Sequence, residues 1–378
     1  MTGASDRRVK IIRLMPVLDF GGVESRIVLQ SQMIDRERFD YRVCAFWSPG
    51  EAAKNIRANG VEVDILGVDP AVRNPGAALA LMRYLREQSP DILHASISEA
   101  NFHGAIAGAL TGVPVRIVEE VGIPSRGRLG EMVFGWMYGL AHQVVGVSKA
   151  TCDVLKREGA AEEKVRLIYN CANPSFFDGE MVRRDGDGPV DFLAVGRLVP
   201  VKNHGNLLRA FRGVVDELDD VRLRIAGEGP LRDEMEAQIQ ALELEDHVEL
   251  LGFRDDVKDL LRKSDVFLLP SWSEGCSISL VEALSSGIVP LGSTADGIGE
   301  VMGELGDAHQ IAPDDVDGWT KAMVRCAVMG SERRYQVGQA ARKIAFERFS
   351  PMVYNANVTA MYEEMVAEQL SIGSSKSV

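Results

Sequence analysis

Glu274 and Glu282 are spaced as E-x7-E in the segment Leu268–Gly287 (LLPSWSEGCSISLVEALSSG), where a short apolar run passes through a polar turn into a helical stretch. Gly275, Cys276 and the small residues after them leave the backbone amides of Ser277, Ile278 and Ser279 at a helix start, where partial positive charge suits a phosphate. A carboxylate just beyond such a seat suits a ribose diol. Two surface glutamates on a solvated helix start would be the bland alternative, and for an isolated pair it would be the better one. Arg197 and Lys202 lie in Val195–His204 (VGRLVPVKNH), the only clustered cations near the start of an acidic half. A diphosphate leaving group gains charge as its sugar bond breaks, and fixed cations stabilise that change. The alternative is an ordinary pair of surface charges. The third candidate is Gly21-Gly22 in Leu14–Glu24 (LMPVLDFGGVE), where paired glycines allow a close backbone approach to phosphate, or merely a tight turn.

The elements that must position these residues are short β-branched runs alternating with longer amphipathic stretches, the pattern of parallel strands joined by crossover helices. In the first half the expected strands are Val9–Leu14, Tyr41–Phe46, Val61–Leu66, Ile92–Ala95, Val115–Val118, Val144–Val147 and Val165–Ile168. In the second they are Val190–Val195, Val221–Ala226, Val248–Leu250, Val266–Leu269, Val289–Leu291 and His309–Ile311. Each candidate motif then follows a strand. Arg183–Pro189 (RRDGDGP) reads as a linker, so two doubly wound domains are expected, 1–184 and 185–350, with the boundary near Asp185. The helical stretch Pro351–Leu370 follows a complete second sheet and is free to cross back onto the first domain. The tail Ser371–Val378 is expected to be disordered.

Composition narrows the function. A chain of 378 residues, 46% hydrophobic and 26% charged, is that of a globular enzyme of two ordinary domains. The net charge of −13 is lopsided: residues 1–184 carry 23 basic and 22 acidic side chains, and the rest 19 and 33. Bulk nucleic-acid binding, which needs a basic footprint, is excluded. Five scattered cysteines and six histidines show no metal-ligand or redox spacing, so no metal is expected and a reducing, cytoplasmic setting fits. No apolar run reaches membrane-spanning length, and Met1–Lys10 lacks the core of a secretory signal.

Taken together, GGVE, GRLVPVKNH, AGEGPLRDEME, LLGFRDDVKDLLRKSDVFLLPSWSEGCSISLVEALSSGIVP and DGIGE resemble glycosyltransferase family four, retaining enzymes of GT-B fold, over nearly the whole chain and in order. The resemblance implies two Rossmann-like domains with an interdomain cleft and a C-terminal crossover helix. It implies transfer from a nucleotide-sugar, commonly a UDP-sugar, to a glycan, glycolipid or small acceptor, in polysaccharide or glycolipid biosynthesis, with no cofactor beyond the donor. Position by position, Gly21 and Gly22 would lie against the diphosphate and acceptor, Arg197 and Lys202 would hold the pyrophosphate, and Glu274 would face the transferred sugar. Glu282 would bind ribose, and Gly252 and Phe253 would read the base.

Two departures stand out. The family often has a histidine where this chain reads Val118-Glu119-Glu120-Val121-Gly122, and Glu120 is the candidate replacement, as acceptor base or sugar contact; a surface or helix-start glutamate is the alternative. His94 and His103 nearby suit structural roles. Asn170-Cys171-Ala172-Asn173 stands where the family shows NGVD, a change expected to alter only a hinge-side turn.

In Pro124–Leu140, Arg126 and Arg128 precede Met132, Val133, Phe134, Trp136, Met137 and Tyr138. This stretch could touch a membrane holding a lipid-linked acceptor, or be a buried helix. Rival readings are a UDP-sugar epimerase of the same architecture, a nicotinamide oxidoreductase, weakened by the missing GxGxxG, and a non-catalytic sugar-nucleotide binder.

Overall fold

The structure, a computed structural model, describes residues 7–19, 21–181 and 188–375. The chain before Arg7, most of the expected linker Arg183–Pro189 and the end of the expected tail lie outside the described residues.

Seven strands form the first sheet: β1 Val9–Met15, β2 Phe39–Ala45, β3 Glu62–Ile65, β4 Ile92–Ser96, β5 Val115–Glu120, β6 Gln143–Gly146 and β7 Val165–Leu167. Six form the second: β8 Val190–Val195, β9 Val221–Ala226, β10 Val248–Gly252, β11 Val266–Leu269, β12 Val289–Ser293 and β13 Gln310–Ile311. Their orders are β3-β2-β1-β4-β5-β6-β7 and β10-β9-β8-β11-β12-β13, every pair parallel. All thirteen expected strands are present, displaced by at most two residues at an end. Parallel strands covered on both faces read as continuous apolar runs, which is why they are legible. The fold is GT-B, two Rossmann-like doubly wound sheets.

The described residues fall into two compact units, 7–169 with 351–375 and 170–350. The division falls ahead of Asp185 because residues 170–181 are tied to the second unit. Asn170 Nδ2 donates to the Cys276 carbonyl, Arg262 donates to the Asp178 carbonyl, and the Phe177 ring packs edge-on against Phe346. The helix Pro351–Ser375 returns to the first unit, where Tyr362 is buried against His94 and Gln30.

In the second unit Phe192, Leu223 and Leu268 of the sheet pack with Leu208, Phe211, Trp319 and Met323 of the helices His204–Glu217 and Val316–Val328. What matters for the site is where each strand order reverses. Helices on opposite faces diverge between β1 and β4, and again between β8 and β11, opening a crevice beyond the carboxyl ends of the strands where open α/β sheets bind ligands.

Candidate functional site

The loop leaving β8 carries Arg197 and Lys202, and the loop leaving β11 carries Glu274, so the two loops adjoin at the switch point of the second sheet and bring Lys202 onto the first glutamate. The Lys202 ammonium lies 2.5 Å from Glu274 Oε1, which also accepts from Ser271 Oγ at 2.8 Å. The pair is only partly buried, with side-chain exposures of 17% and 14%, so both groups stay open to a ligand. Arg197 is exposed, and its guanidinium has no ion pair among the described residues.

The close approach of two loops makes this arrangement possible. A Cβ on Gly227, at φ +151°, would sit 1.9 Å from the Gly196 carbonyl oxygen, and one on Gly229 would sit 2.4 Å from that of Leu198. The loop after β9 therefore lies flat beneath the loop after β8, and Leu198 N donates to the Glu228 carbonyl. The sequence shows these glycines only as a likeness in AGEGP; their steric role needs the neighbouring backbone.

The Glu274 loop is fixed at several points. Gly297 N donates to the Glu274 carbonyl at 3.0 Å, Ser273 Oγ to Asp296, and Ser293 Oγ to the Ser271 carbonyl. Asn170, the residue this segment shares with the family's NGVD, holds the Cys276 carbonyl at 2.6 Å and so ties the chain before β8 to the glutamate loop. No acceptor among the described residues takes the amides of Ser277, Ile278 or Ser279, which open the helix Ile278–Ser286. Gly275, Cys276 and Ser277 are buried in the turn before it.

One helical turn inside, half-buried Glu282 has no hydrogen bond or ion pair among the described residues. Burial with no cation to offset it pushes its carboxyl up to about 8. At the carboxyl end of β10, Gly252 takes φ +69° and its carbonyl accepts from Gly227 N. Phe253 beside it presents a ring that is 62% exposed.

His204, buried at the start of its helix, is pushed down to about 4 by desolvation and is neutral at pH 7. The cationic character of the site therefore belongs to Arg197 and Lys202.

In the first unit Gly21 and Gly22 stand beyond β1, Gly21 capping the helix Gly22–Met33, with its carbonyl accepting from Ser25 N. Glu24 closes on Gly21: its Oε2 would lie 2.3 Å from a Cβ there. Beyond β5, Glu120 is neither a surface nor a helix-start glutamate. It is 4% exposed and bound by Arg126 Nη2 at 2.6 Å, with Ser98 Oγ and Tyr138 OH at 3.3 Å. Arg126 also holds Glu158 at 2.6 Å and stacks over the Phe134 ring. Burial raises the Glu120 carboxyl, and Arg126 offsets only part of that rise.

Arg126 is thus committed to internal ion pairs, which removes it from any membrane contact; a charge with two buried partners stays with them. The helix Arg128–Leu140 is two-sided and not simply buried. Phe134, Met137 and Tyr138 face the core, while Leu129, Met132 and Trp136 are 69%, 67% and 60% exposed.

Glu119 belongs to a cluster that the sequence does not reveal. Burial alone would raise its carboxyl, but the guanidinium groups of Arg26 and Arg13 outweigh that and hold it well below the usual range. His94 stacks edge-on against Tyr362 and is kept neutral by desolvation and by Arg13. His103 bonds the Pro70 and Ala71 carbonyls. Both histidines are structural. Backbone strain lies next to these groups: Ile97, after β4, has φ +76°, a value a β-branched residue seldom takes.

No described helix is long and apolar enough to cross a membrane, and no group of three His, Cys, Asp or Glu suited to a metal occurs among the described residues.

Two family profiles match the chain, Glycosyltransferase Family 4 over residues 20–176 and Glycosyl transferases group 1 over 183–344. An Escherichia coli UDP-Gal:alpha-D-GlcNAc-diphosphoundecaprenol alpha-1,3-galactosyltransferase is 26% identical, over 84% of this chain and 88% of that protein. The N-acetyl-alpha-D-glucosaminyl L-malate synthase of Bacillus anthracis is 28% identical, over 87% and 72%. Among solved structures, Anabaena HepE in complex with UDP superposes with a TM-score of 0.81 at 19% identity, over 94% of this chain and all of that one.

Proposed function

Since the chain belongs to glycosyltransferase family four, we propose that it transfers a sugar from a UDP-linked donor to a lipid-linked or glycan acceptor, with retention of anomeric configuration. The observation that carries the reading is the Lys202–Glu274 pair at the switch point of the second sheet, flanked by exposed Arg197, the unpaired Glu282 and the open amides of residues 277–279. In an otherwise acidic unit this is a local positive seat, and screening over roughly 8 Å lets it overrule distant charge.

The diphosphate lies against Arg197, Lys202 and the helix start at Ser277. The ribose diol donates to Glu282, the base lies by Gly252 and Phe253, and Glu274, steered by Lys202 and Ser271, faces the transferred sugar. As the bond from sugar to diphosphate lengthens, Arg197 and Lys202 take up the growing negative charge, and the acceptor hydroxyl attacks from the same face. The cations carry this charge without a metal. Glu120, held in place by Arg126 at the end of β5, stands where the family often has a histidine and is the candidate acceptor base or sugar contact. UDP as donor nucleotide is supported by the UDP and UDP-glucose complexes of HepE, and a lipid-linked acceptor by relatives acting on undecaprenol diphosphates. Such an acceptor places the protein at a membrane surface, and the exposed apolar row Leu129, Met132 and Trp136 is the face for that contact.

A thermal-shift series with UDP, GDP and ADP tests the donor class, since a ligand binding only the folded state raises its melting point. UDP should stabilise the protein most. With the donor so identified, Arg197→Ala and Lys202→Ala should each lower turnover by about 10²-fold or more. Near-normal turnover in both would refute the assignment.

A further inference from the structure

We infer that Asn203 is a positioning residue for the donor site, acting through Lys202; the inference rests on the donor-site reading above. Asn203 is 7% exposed and takes the left-handed conformation, φ 58° and ψ 31°, at the junction between the turn Pro200–Lys202 and the helix His204–Glu217. Glycine would satisfy that backbone as well as asparagine does. The side chain supplies what glycine lacks: Asn203 Nδ2 donates to the Pro270 carbonyl at 3.0 Å and to the Pro313 carbonyl at 2.6 Å. One amide thus ties the loop after β8 to the ends of β11 and β13.

The tie closes a ring. Pro270 precedes Ser271, whose hydroxyl holds Glu274 Oε1, and that same oxygen binds the ammonium of Lys202, the residue before Asn203. Trp272 N donates to the Val201 carbonyl at 2.8 Å, so the two loops are also joined on the other side of Lys202. Asn203 touches neither Lys202 Nζ nor Glu274 through its amide, yet it fixes the separation of the backbones that carry them. Loss of the amide leaves the backbone of that turn joined to the β11 loop by Trp272 N, with the Lys202–Glu274 pair itself as the other link. Misplacement of a charge-stabilising group by about 1 Å costs up to about 10²-fold.

The test measures UDP affinity by titration calorimetry for the native chain, Asn203→Gly, Asn203→Asp, Lys202→Ala and the double variant Asn203→Gly/Lys202→Ala. Asn203→Gly keeps the left-handed turn and should fold with a melting point near the native one, while its UDP affinity falls about 10-fold. Asn203→Asp, which turns a carboxylate toward two carbonyl oxygens, should lose at least as much. In the Lys202→Ala background the glycine substitution should cost nothing more, because its effect passes through Lys202; a structural residue would give additive losses. Native affinity in Asn203→Gly and Asn203→Asp, or additive losses in the double variant, would overturn the inference alone. Native affinity in Lys202→Ala would instead overturn the donor-site reading, and the inference with it.

Discussion

Glu282 offers a test in which protonation, stability and ligand binding are read from one side chain. Its carboxyl is raised from 4.5 to about 8, by burial with no neighbouring charge to relieve it. In the folded protein the protonated form is therefore favoured, and between those two values the folded state holds a proton that the unfolded chain has released. Stability from this group is fully present below pH 4.5, falls as pH rises, and is lost above pH 8. At about 1.4 kcal/mol for each tenfold change, the full difference corresponds to about 5 kcal/mol; partial exposure of the carboxylate lowers the expected figure to about 2 to 4 kcal/mol. Glu282→Gln removes the titration while keeping size and shape. Urea unfolding of both proteins at pH 5, 7 and 9 should give near-equal stabilities at pH 5 and a variant more stable by that margin at pH 9. UDP affinity should move the opposite way. A ribose diol donates two hydrogen bonds to the ionised form, so the native protein's advantage over Glu282→Gln should widen from pH 6 to pH 9. Stability curves that stay parallel from pH 5 to 9 would refute the desolvation argument. Curves that diverge while the affinity ratio stays flat would show that the carboxylate is buried but does not meet the ribose.

Three further outcomes follow from packing. Arg126→Ala strands the buried carboxylates of Glu120 and Glu158 without their cation and should cost about 3 to 5 kcal/mol by urea unfolding, part of it recovered when both glutamates become glutamine. Gly227→Ala places a methyl group 1.9 Å from the Gly196 oxygen and should lower both stability and UDP affinity; Gly67→Ala, at φ +69° with open space around it, should cost only about 1 to 2 kcal/mol and leave affinity unchanged. Replacing exposed Leu129 and Met132 with glutamate should leave the melting point within a few degrees of native and lower co-sedimentation with anionic liposomes several-fold. Unchanged co-sedimentation would remove that helix from the membrane contact.

The strands can be read from the chain alone, because a strand covered on both faces is a near-continuous apolar run: Val266–Leu269 is unbroken, Val190–Val195 is interrupted only by Asp191, and both are too short for the helices that alternate with them. The order of residues also dictates which side chains leave those strands, and so places Arg197, Lys202 and Glu274 on loops at one end of a sheet. What it does not dictate is any relation between charges distant along the chain. Lys202 and Glu274 are adjacent only because β8 and β11 are neighbours, and Asn170 reaches Cys276 only because the chain before β8 folds onto that unit. The pattern around Arg126 suggests a free cation. The fold instead surrounds it with two carboxylates, since a buried acid is tolerated only beside a compensating charge. Likewise Leu129, Met132 and Trp136 look no different in sequence from buried Met137, and only the packing of Phe134 and Tyr138 against the core decides which face is left to solvent. Local pattern is set by burial along one element. The partners of a charge are set by the topology that brings several elements together.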